Sequence, residues 1–286
     1  MDLCNIHQIK ELLARHGFRF SKSMGQNFLT APWVPRRIAE EAGLDSGTGV
    51  LEVGPGVGCL TEQLALRAGK VLSIELDKTL KPALEEALQG LDNIELLFGD
   101  VLKFNLPELV RQHFPGLRPV VCANLPYNIT SPVLTAFIEA GCFDTITVMI
   151  QREVARRLVA RPGSQDYGSF TVYVNWHTET KILFDVPPGC FIPQPKVSST
   201  VIRLKKRNSP PAQVGSEEMF FKVVRGAFSQ RRKTLKNALA SALEGFEKER
   251  IEEAISACGL DLGVRGEALG IGEFAALADA LMRLSS

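Results

Sequence analysis

LEVGPGVG, residues 51–58, joins the end of an apolar run to three glycines spaced two residues apart. Such a run indicates a buried strand, and glycines after it allow a tight turn and the close approach of a ligand to the backbone. The spacing of Gly54, Gly56 and Gly58 is GxGxG, whereas the dinucleotide-binding fingerprint is GxGxxG, which would need a third glycine at Cys59. The stretch therefore predicts a strand, a ligand-binding turn and a helix. It disfavours a dinucleotide cofactor while leaving that alternative open.

Short apolar runs alternate with helical patterns between residues 48 and 151. The runs are rich in valine, isoleucine and leucine, as expected of strands that are buried on both faces. The strand candidates are GVLEVG (49–54), KVLSIEL (70–76), NIELLFGD (93–100), PVVCANLP (119–126) and TITVMIQ (145–151). The helix candidates are residues 59–68, 79–88, 106–113 and 131–140. This alternation predicts an α/β fold, with a mostly parallel sheet and helices on both of its faces.

The alternation ends after Arg152, and a second, smaller domain is predicted. TKILFDVPP (180–188) and SSTVIRLKK (198–206) indicate two further strands, which we expect at one edge of the sheet. KKRNSPPAQVGS (205–216) is charged and then rich in proline, glycine and serine, which is typical of a linker. We predict a first domain at residues 1–207, with an N-terminal amphipathic helix and a basic segment. Helical patterns predict an all-α C-terminal domain at residues 208–286.

The composition, with 45% hydrophobic and 23% charged residues, is typical of a globular protein. No apolar run approaches the roughly 18–20 residues that a membrane span requires, and the first residues lack the apolar core of a signal peptide. The six cysteines form no CxxC pair and have no histidine partner at metal-ligand spacing. These observations predict a cytoplasmic protein with reduced thiols, no metal and no membrane association. We expect a monomer, because no apolar interface stripe is evident.

Basic residues are unevenly distributed, although the net charge is only +1. Residues 12–39 and 225–236 contain no acid. The N-terminal basic stripe consists of Arg15, Arg19, Lys22, Arg36 and Arg37. The C-terminal basic stripe consists of Arg225, Arg231, Arg232, Lys233 and Lys236. Such stripes on a nearly neutral chain indicate surfaces that contact phosphates, although each stripe alone could equally be a solvated helix face.

Acidic side chains close the second and third predicted strands. Glu75 follows Gly54 by 21 residues, where an acid can accept hydrogen bonds from both ribose hydroxyls of a nucleoside. Asp100 closes the third strand, where a carboxylate can accept from an exocyclic adenine amine. Both acids could instead be helix N-caps or loop acids. Because ligands of open α/β sheets bind at the carboxyl ends of the strands, the combination with the glycine turn favours a nucleoside site.

EVGPGVG, ELD and GD, at residues 52–58, 75–77 and 99–100, resemble motifs of the class I S-adenosylmethionine-dependent methyltransferases, which have a Rossmann-like fold. GQNFL (25–29) resembles an N-terminal motif that folds over the cofactor in one family of these enzymes. The resemblance implies S-adenosylmethionine as cofactor. The positions that it implies as cofactor contacts are Asn27, Leu29, Gly54, Gly56, Glu75, Asp100, Val101 and Asn124.

NLPY, residues 124–127, resembles the [N/D/S]-P-P-[Y/F/W] signature of enzymes that methylate exocyclic amines of bases. Leu125 departs from the form of the DNA enzymes, which have proline there; NLPY is the form of the ribosomal RNA adenine-N6 dimethyltransferases. The adenine amine is a poor nucleophile, because its lone pair is delocalised into the ring. The Asn124 side chain and a main-chain carbonyl at Leu125 or Pro126 could hold its N–H bonds, and Tyr127 would stack on the base. The alternative is a strand-end turn with a structural tyrosine.

Phe191 begins FIPQPKVSS (191–199), a further segment that resembles this family. Its loop is expected to reach the site, where the ring would form the second face of an aromatic clamp on the target adenine. The alternative is a core phenylalanine in a loop fixed by prolines. The resemblance thus implies a catalytic set of Asn124, Leu125, Pro126, Tyr127 and Phe191.

FIPQPKVSS and FSQRRKTLKNAL (228–239) favour, by resemblance, the branch of the family that acts on the small ribosomal subunit. That branch dimethylates N6 of two adjacent adenosines near the 3′ end of 16S ribosomal RNA in the immature subunit. The C-terminal basic stripe would then bind RNA. Alternatives are a large-subunit adenine-N6 methyltransferase of the macrolide-resistance type and a non-catalytic small-subunit assembly factor. A nicotinamide-dependent oxidoreductase is disfavoured by the GxGxG spacing and by NLPY.

Overall fold

The computed structural model describes residues 1–18 and 26–285, and the chain folds into two compact units. The first unit consists of Met1–Ala155 and Glu179–Lys206, and the second of Arg156–Thr178 and Arg207–Ser286. Three residues of the sequence patterns lie outside the described residues: Arg19, Lys22 and Gly25.

The first unit is built on a seven-stranded sheet, and two further short strands form a separate pair. In chain order the strands are β1 (Phe28–Leu29), β2 (Thr48–Val53), β3 (Lys70–Glu75), β4 (Ile94–Phe98), β5 (Arg118–Asn124), β6 (Thr145–Gln151), β7 (Thr178–Val186), β8 (Phe191–Ile192) and β9 (Ser199–Lys206). The order across the large sheet is β4-β3-β2-β5-β6-β9-β7. Strands β2 to β6 pair in parallel, whereas β9 is antiparallel to β6. The predicted α/β fold with a mostly parallel sheet is therefore confirmed.

Both faces of the central strands of this sheet are buried. The helices that begin in the first unit are α1 (Ile6–Arg15), α2 (Trp33–Glu41), α3 (Cys59–Ala65), α4 (Lys81–Ala87), α5 (Leu106–His113), α6 (Thr130–Ala140) and α7 (Arg152–Leu158). In β5, Val120 and Cys122 join a core cluster with residues of α1 to α4, whereas Val121 and Ala123 are buried outside that cluster. Successive residues of a strand point to opposite faces. Burial of both sets explains why β5 is a continuous apolar run.

The two late strands extend one edge of the sheet, as the sequence predicted. β9 lies beside β6 and β7 lies outermost. Gln151, the last residue of β6, pairs with Ser199, the first residue of β9. Because β9 is antiparallel, it begins at the edge where the parallel strands end. Ser199 is thereby placed near the carboxyl ends of those strands.

A two-residue strand pair ties the N-terminal segment to the proline-rich loop. Phe28 pairs with Ile192 and Leu29 pairs with Phe191. The backbone N–H of Thr30 also donates to the carbonyl of Cys190, at 2.8 Å. Pairs this short have no recognisable periodicity, so the sequence did not predict them.

The second unit is helical, and it includes a segment that the predicted boundary at residue 207 assigned to the first domain. Its helices are α8 (Ser169–His177), α9 (Glu217–Ser229), α10 (Leu235–Ala242), α11 (Lys248–Ala257) and α12 (Ile271–Ser285). Trp176 of α8 stacks on Phe220 of α9, with ring centroids 4.1 Å apart. Tyr173, Trp176 and His177 of α8 all pack on aromatic rings of α9, and for this reason Arg156–Thr178 belongs with the C-terminal helices. The second compact unit therefore differs from the predicted C-terminal domain by this additional segment.

No helix among residues 1–18 and 26–285 has the length and apolar character needed to cross a membrane.

Candidate active site

One cavity collects the predicted residues at the carboxyl ends of the parallel strands. It encloses about 1090 Å³, part of it open to solvent, against roughly 300–1,000 Å³ for typical ligand sites. All eight predicted cofactor contacts line it: Asn27, Leu29, Gly54, Gly56, Glu75, Asp100, Val101 and Asn124. Leu125, Pro126 and Tyr127 line the same cavity. The structure thus brings the glycine turn and the NLPY turn together.

The glycine turn follows β2 and needs glycine for steric reasons. Gly54 and Gly56 have φ values of +70° and +61°, which side-chain-bearing residues rarely adopt. A Cβ on Gly56 would lie 2.9 Å from the ring of Phe28. A Cβ on Gly54 would lie 3.7 Å from Cδ of Pro126 and 3.8 Å from the carbonyl oxygen of Asn124. The glycine turn and the NLPY turn are therefore adjacent walls of the cavity.

Glu75 is held between the glycine turn and the residues after β3. Its carboxylate accepts from the backbone N–H of Asp77 at 2.9 Å and from that of Gly56 at 3.4 Å. Burial raises the pKa of Glu75, and these two N–H donors oppose that effect. A carboxylate has about four acceptor positions, so two donors leave capacity for further donors. Glu75 is oriented as an acceptor for hydroxyl groups in the cavity.

Asp100 follows β4 and caps a one-turn 3-10 helix, Val101–Lys103. Its Oδ1 accepts from the backbone N–H of Leu102 at 3.1 Å. The capping role considered as an alternative is therefore present, and the residue lines the cavity as well. The same bond fixes the direction of the carboxylate. Val101, the first residue of this helix, is buried and also lines the cavity.

Asn124 ends β5, where it pairs with Met149 of β6. Its side-chain Nδ2 donates to the carbonyl of Asn27 at 3.5 Å, a long bond that turns Nδ2 toward the N-terminal segment. Oδ1 is on the other side of the amide. The Pro126 carbonyl accepts from the backbone N–H of Ile129 at 3.2 Å and from Oγ1 of Thr130 at 3.3 Å. Of the two carbonyls considered from sequence, the one at Pro126 is already engaged within its own turn.

Tyr127 presents its ring to the cavity and is anchored by its hydroxyl. The phenol oxygen lies 2.6 Å from Oγ of Ser199. Burial raises the pKa of Tyr127, so the phenol stays protonated at neutral pH. A hydrogen bond across 72 residues of sequence could not be predicted from local pattern.

Phe191 does not line the cavity. Its residue is only 5% exposed, and its side chain belongs to the core cluster of the first unit. The pairing of β8 with β1 sets this orientation, because Leu29 opposite Phe191 is also buried. The structure thus matches the alternative of a core phenylalanine and does not bring Phe191 into the site as a clamp.

Several further residues line the cavity that were not predicted from the sequence. Gln26 lines it, and its Nε2 donates to Oδ2 of Asp77 at 2.9 Å. Leu76 and Leu80 supply apolar surface, and Leu76 is 54% exposed. Leu76 directly follows Glu75, so the ELD motif itself was the available signal for an apolar contact beside the acid.

The C-terminal basic stripe divides into anchored and exposed residues. The guanidinium of Arg231 donates to the carbonyls of Gln165 at 2.7 Å and Tyr167 at 3.0 Å. Lys236 forms an ion pair with Glu252 at 3.0 Å. Arg225, Arg232 and Lys233 are exposed, and the anchored Arg231 is partly exposed as well. Arg231 and Lys236 therefore have partners within the second unit.

The N-terminal basic stripe is only partly described. Arg15 pairs with Glu86, and the guanidinium carbon of Arg37 lies 4.2 Å from the ring centroid of Phe184. Arg36 is exposed. Among the described residues, no group of three or more His, Cys, Asp or Glu side chains could hold a metal ion.

Glu52 is a buried acid beneath the glycine turn. Its Oε2 accepts from Oγ1 of Thr61 at 2.7 Å and from Oγ of Ser73 at 2.6 Å. The side chain is fully enclosed, and this burial raises the pKa of Glu52 to about 7. The acid does not line the cavity. It lies in the strand that carries the glycine turn, and its protonation state depends on the fold.

We expect Glu52 to make the stability of the protein depend on pH. Its folded pKa lies above the unfolded value of 4.5, so the folded state binds more protons between these two values. The stabilising contribution is therefore complete in acid and is lost as the pH rises through about 7, with a magnitude of roughly 3 kcal/mol. Urea unfolding of the wild type and of Glu52→Gln from pH 4.5 to pH 8 measures it. The difference between their unfolding free energies should change across this range, and a constant difference would contradict the assignment.

The fold and the site define a class of protein. The sheet is mostly parallel. The glycine turn follows the first of its long strands in chain order, acids follow the next two strands, and the NLPY turn follows the fourth strand. These residues together line one cavity. These are the features of an S-adenosylmethionine-dependent methyltransferase. The chain belongs to the ribosomal RNA adenine dimethylase family, whose profile matches residues 17–279. The predicted enzyme class and its cofactor, S-adenosylmethionine, are thereby confirmed.

Relatives and solved structures agree with this family. The chain is 47% identical to ribosomal RNA small subunit methyltransferase A of Geobacillus thermodenitrificans, over 99% of this chain and 98% of the relative. It is 44% identical to the protein of the same name from Alkaliphilus oremlandii, over 96% of each chain. Among solved structures, a dimethyladenosine transferase from Plasmodium falciparum matches with a TM-score of 0.73 and 27% identity, over 87% of this chain and 95% of that one. The 23S rRNA methyltransferase ErmE matches with a TM-score of 0.69 and 31% identity, over 90% of this chain and 100% of that one.

Proposed function

We propose that this protein transfers methyl groups from S-adenosylmethionine to N6 of two adjacent adenosines near the 3′ end of 16S ribosomal RNA. The observation that carries the proposal is the single cavity shared by the glycine turn and the NLPY turn. Full-length relatives named for the small ribosomal subunit, at 44% and 47% identity, support the choice of subunit. We further propose that the substrate is the immature small subunit in the cytoplasm, and that the protein acts as a monomer.

The cavity fits the cofactor. Gly54 and Gly56 let the ligand approach the backbone, and Glu75 is oriented to accept from two ribose hydroxyls. Asp100 can accept from the exocyclic amine of the cofactor's adenine, with Val101 against its ring. Asn27 and Leu29 close the cavity from the N-terminal segment. When bound, S-adenosylmethionine supplies an electrophilic methyl group on a sulfonium.

The NLPY turn would present the target amine. Asn124 Oδ1 accepts one N–H, and the Leu125 carbonyl is the main-chain acceptor, because the Pro126 carbonyl is engaged by Ile129 and Thr130. Two acceptors draw the nitrogen toward tetrahedral geometry and aim its lone pair. Tyr127 stacks on the base and offsets part of the cost of unstacking it from the RNA. Positioning of this kind can supply much of the barrier reduction.

The alternative substrate is a large-subunit RNA. The structural likeness to the 23S rRNA methyltransferase ErmE, at 31% identity, is the observation that favours it. The small-subunit relatives are more similar over nearly the full length, so we place this alternative second. A non-catalytic assembly factor is the third candidate, although the cavity residues are all present.

Mapping of modified adenosines by mass spectrometry tests these candidates together. The protein is incubated with isotope-labelled S-adenosylmethionine and immature small subunits that lack the modification. We expect dimethyladenosine at two adjacent positions near the 3′ end. Transfer only to naked large-subunit RNA would support the alternative substrate. Stable binding to the small subunit without transfer would support the assembly factor.

We propose that the exposed members of the C-terminal basic stripe bind RNA phosphates. The double variant in which Arg232 and Lys233 are both replaced by alanine should bind the subunit with a weaker salt dependence. The slope of log Kd against log salt concentration should fall by about 2, since each phosphate contact contributes roughly 1 to it. Lys248→Ala, which removes an exposed cation of α11, is the control. Filter binding at several salt concentrations measures the slope. An unchanged slope in the double variant would refute phosphate contact by these two residues.

Arg231 is expected to respond differently from its neighbours. Its hydrogen bonds to Gln165 and Tyr167 stabilise the second unit, so Arg231→Ala should lower the melting temperature. Arg232→Ala should leave the melting temperature nearly unchanged, because surface substitutions of this kind rarely change stability by more than about 0.5 kcal/mol. Thermal unfolding of the two single variants separates the structural arginine from the RNA-binding one.

A further inference from the structure

Ser199 bonds to the ring that is proposed to stack on the target adenine. Its Oγ lies 2.6 Å from the Tyr127 hydroxyl, and its side chain is fully buried. We propose that Ser199 is a positioning residue, which holds the Tyr127 ring at the angle required for stacking. This inference rests on the proposed function and adds a residue to the same site.

The backbone fixes Ser199 from both sides. It begins β9 and pairs with Gln151, the last residue of β6. The backbone N–H of Arg152 donates to the carbonyl of Ser198 at 3.0 Å, which extends the same pairing by one step. On the other side, Oγ1 of Thr200 bonds to Asp185 at 2.5 Å. The Ser199 hydroxyl is therefore a rigid anchor point.

The NLPY turn alone does not fix the tyrosine ring. Asn124 ends β5, while Ser199 begins β9, with β6 between these two strands. Neighbouring strands lie about 4.8 Å apart, so the side chain of Tyr127 spans the end of β6 to reach an anchor roughly 10 Å from β5. Backbone attachment at one end and the bond to Ser199 at the other define the plane of the ring. Without the second attachment the ring can adopt other rotamers.

The hydrogen bond is half-buried, because the Ser199 residue is enclosed and Tyr127 is partly exposed. The Tyr127 phenol is protonated at neutral pH, and removing it would leave the buried Ser199 hydroxyl without this partner. The bond makes no contact with the base itself. Its loss should therefore affect base presentation and leave cofactor binding unchanged.

A double-mutant cycle tests the proposal on the full chain. Ser199→Ala and Tyr127→Phe remove the same hydrogen bond, so each should lower kcat/KM for small-subunit methylation by about fivefold to tenfold. The double variant should be no worse than either single variant, because the two changes are not additive when the residues act through one bond. Ser199→Thr keeps a hydroxyl and should recover most of the activity.

Base stacking supplies a readout that a purely structural role would not change. In RNA with 2-aminopurine at the target position, the fluorescence quenching that stacking on Tyr127 produces should weaken in Ser199→Ala. The affinity for S-adenosylmethionine should stay within about twofold of the wild type. Thr147→Val is the matched control, since it removes a buried hydroxyl of β6 that has no hydrogen-bond partner among the described residues.

Different outcomes reject different claims. If the wild type transfers no methyl group to small subunits, the proposed function fails and this inference fails with it. If the wild type is active and Ser199→Ala matches it in kcat/KM and in quenching, only the role of Ser199 fails. Additive losses in the double variant, or a lower melting temperature with unchanged kcat/KM, would also overturn it.

Discussion

Replacing Asn124 with alanine is expected to slow methyl transfer by about 100- to 1,000-fold, the range found when one preorganised polar group is removed from a reacting centre. Asn124 ends β5, and its amide nitrogen is directed to the carbonyl of Asn27. The remaining oxygen is the acceptor that we propose for the target amine. Alanine removes this acceptor without changing the strand that positions it.

The kinetic pattern is as diagnostic as the size of the effect. An interaction made chiefly in the transition state lowers kcat and kcat/KM equally, whereas one made equally with bound substrate raises KM alone. Single-turnover transfer from labelled S-adenosylmethionine to immature small subunits measures the chemical step. We expect the affinity for the cofactor to change by only a few fold, because Glu75 and the glycine turn remain.

Asn124→Asp is the matched variant. It keeps the shape and the acceptor oxygen of asparagine, and it replaces the amide donor to Asn27 with a second acceptor oxygen. If acceptance of the amine hydrogens is the role of this residue, the aspartate variant should retain more activity than the alanine variant. Equal losses in both variants would show that orientation by Asn27 matters more. Transfer at the wild-type rate by Asn124→Ala would remove Asn124 from the mechanism.

The second large effect is on stability, at Trp176. This residue is 1% exposed, stacks on Phe220 at 4.1 Å and meets Phe221 edge-on at 5.9 Å. Trp176→Ala should lower the free energy of unfolding by about 3–5 kcal/mol, because it leaves a large cavity between α8 and α9. Such a loss is a large part of the stability of an ordinary domain.

The chain contains an internal control for this prediction. The other tryptophan of the chain, Trp33, is 42% exposed at the start of α2. Trp33→Ala should cost about 1 kcal/mol or less, since it removes mainly a tilted contact with Phe184, whose ring centroid is 6.0 Å away. Urea unfolding followed by circular dichroism compares the two variants. Similar losses would contradict the burial-based explanation.

The parallel sheet and its ligand edge could be predicted from the sequence because their determinants are local. Strands buried on both faces are continuous apolar runs, and the carboxyl ends of parallel strands share one edge of the sheet. Glu75, Asp100 and Asn124 each follow such a run. Their convergence on one cavity therefore follows from topology alone, once strand and helix alternate.

The remaining features depend on contacts between residues far apart in sequence. Phe191 lies in the core because two residues of β8 pair with two residues of β1. Helix α8 was missed because apolar residues alternate along SFTVYVNWH, a period typical of strands, while its partner α9 lies 40 residues later. The bond between Tyr127 and Ser199 and the raised pKa of Glu52 also require the folded chain.

The discontinuous second unit has a consequence for synthesis of the protein. Arg156–Thr178 leaves the ribosomal tunnel well before α9 to α12, with which it forms one hydrophobic core. Its aromatic side chains must remain without their native partners while β7, β8 and β9 are translated and complete the sheet. This aromatic segment of the nascent chain is therefore exposed while the later strands are being translated. Chaperones protect exposed surfaces of this kind. The last helices end this exposure only when the chain is nearly complete.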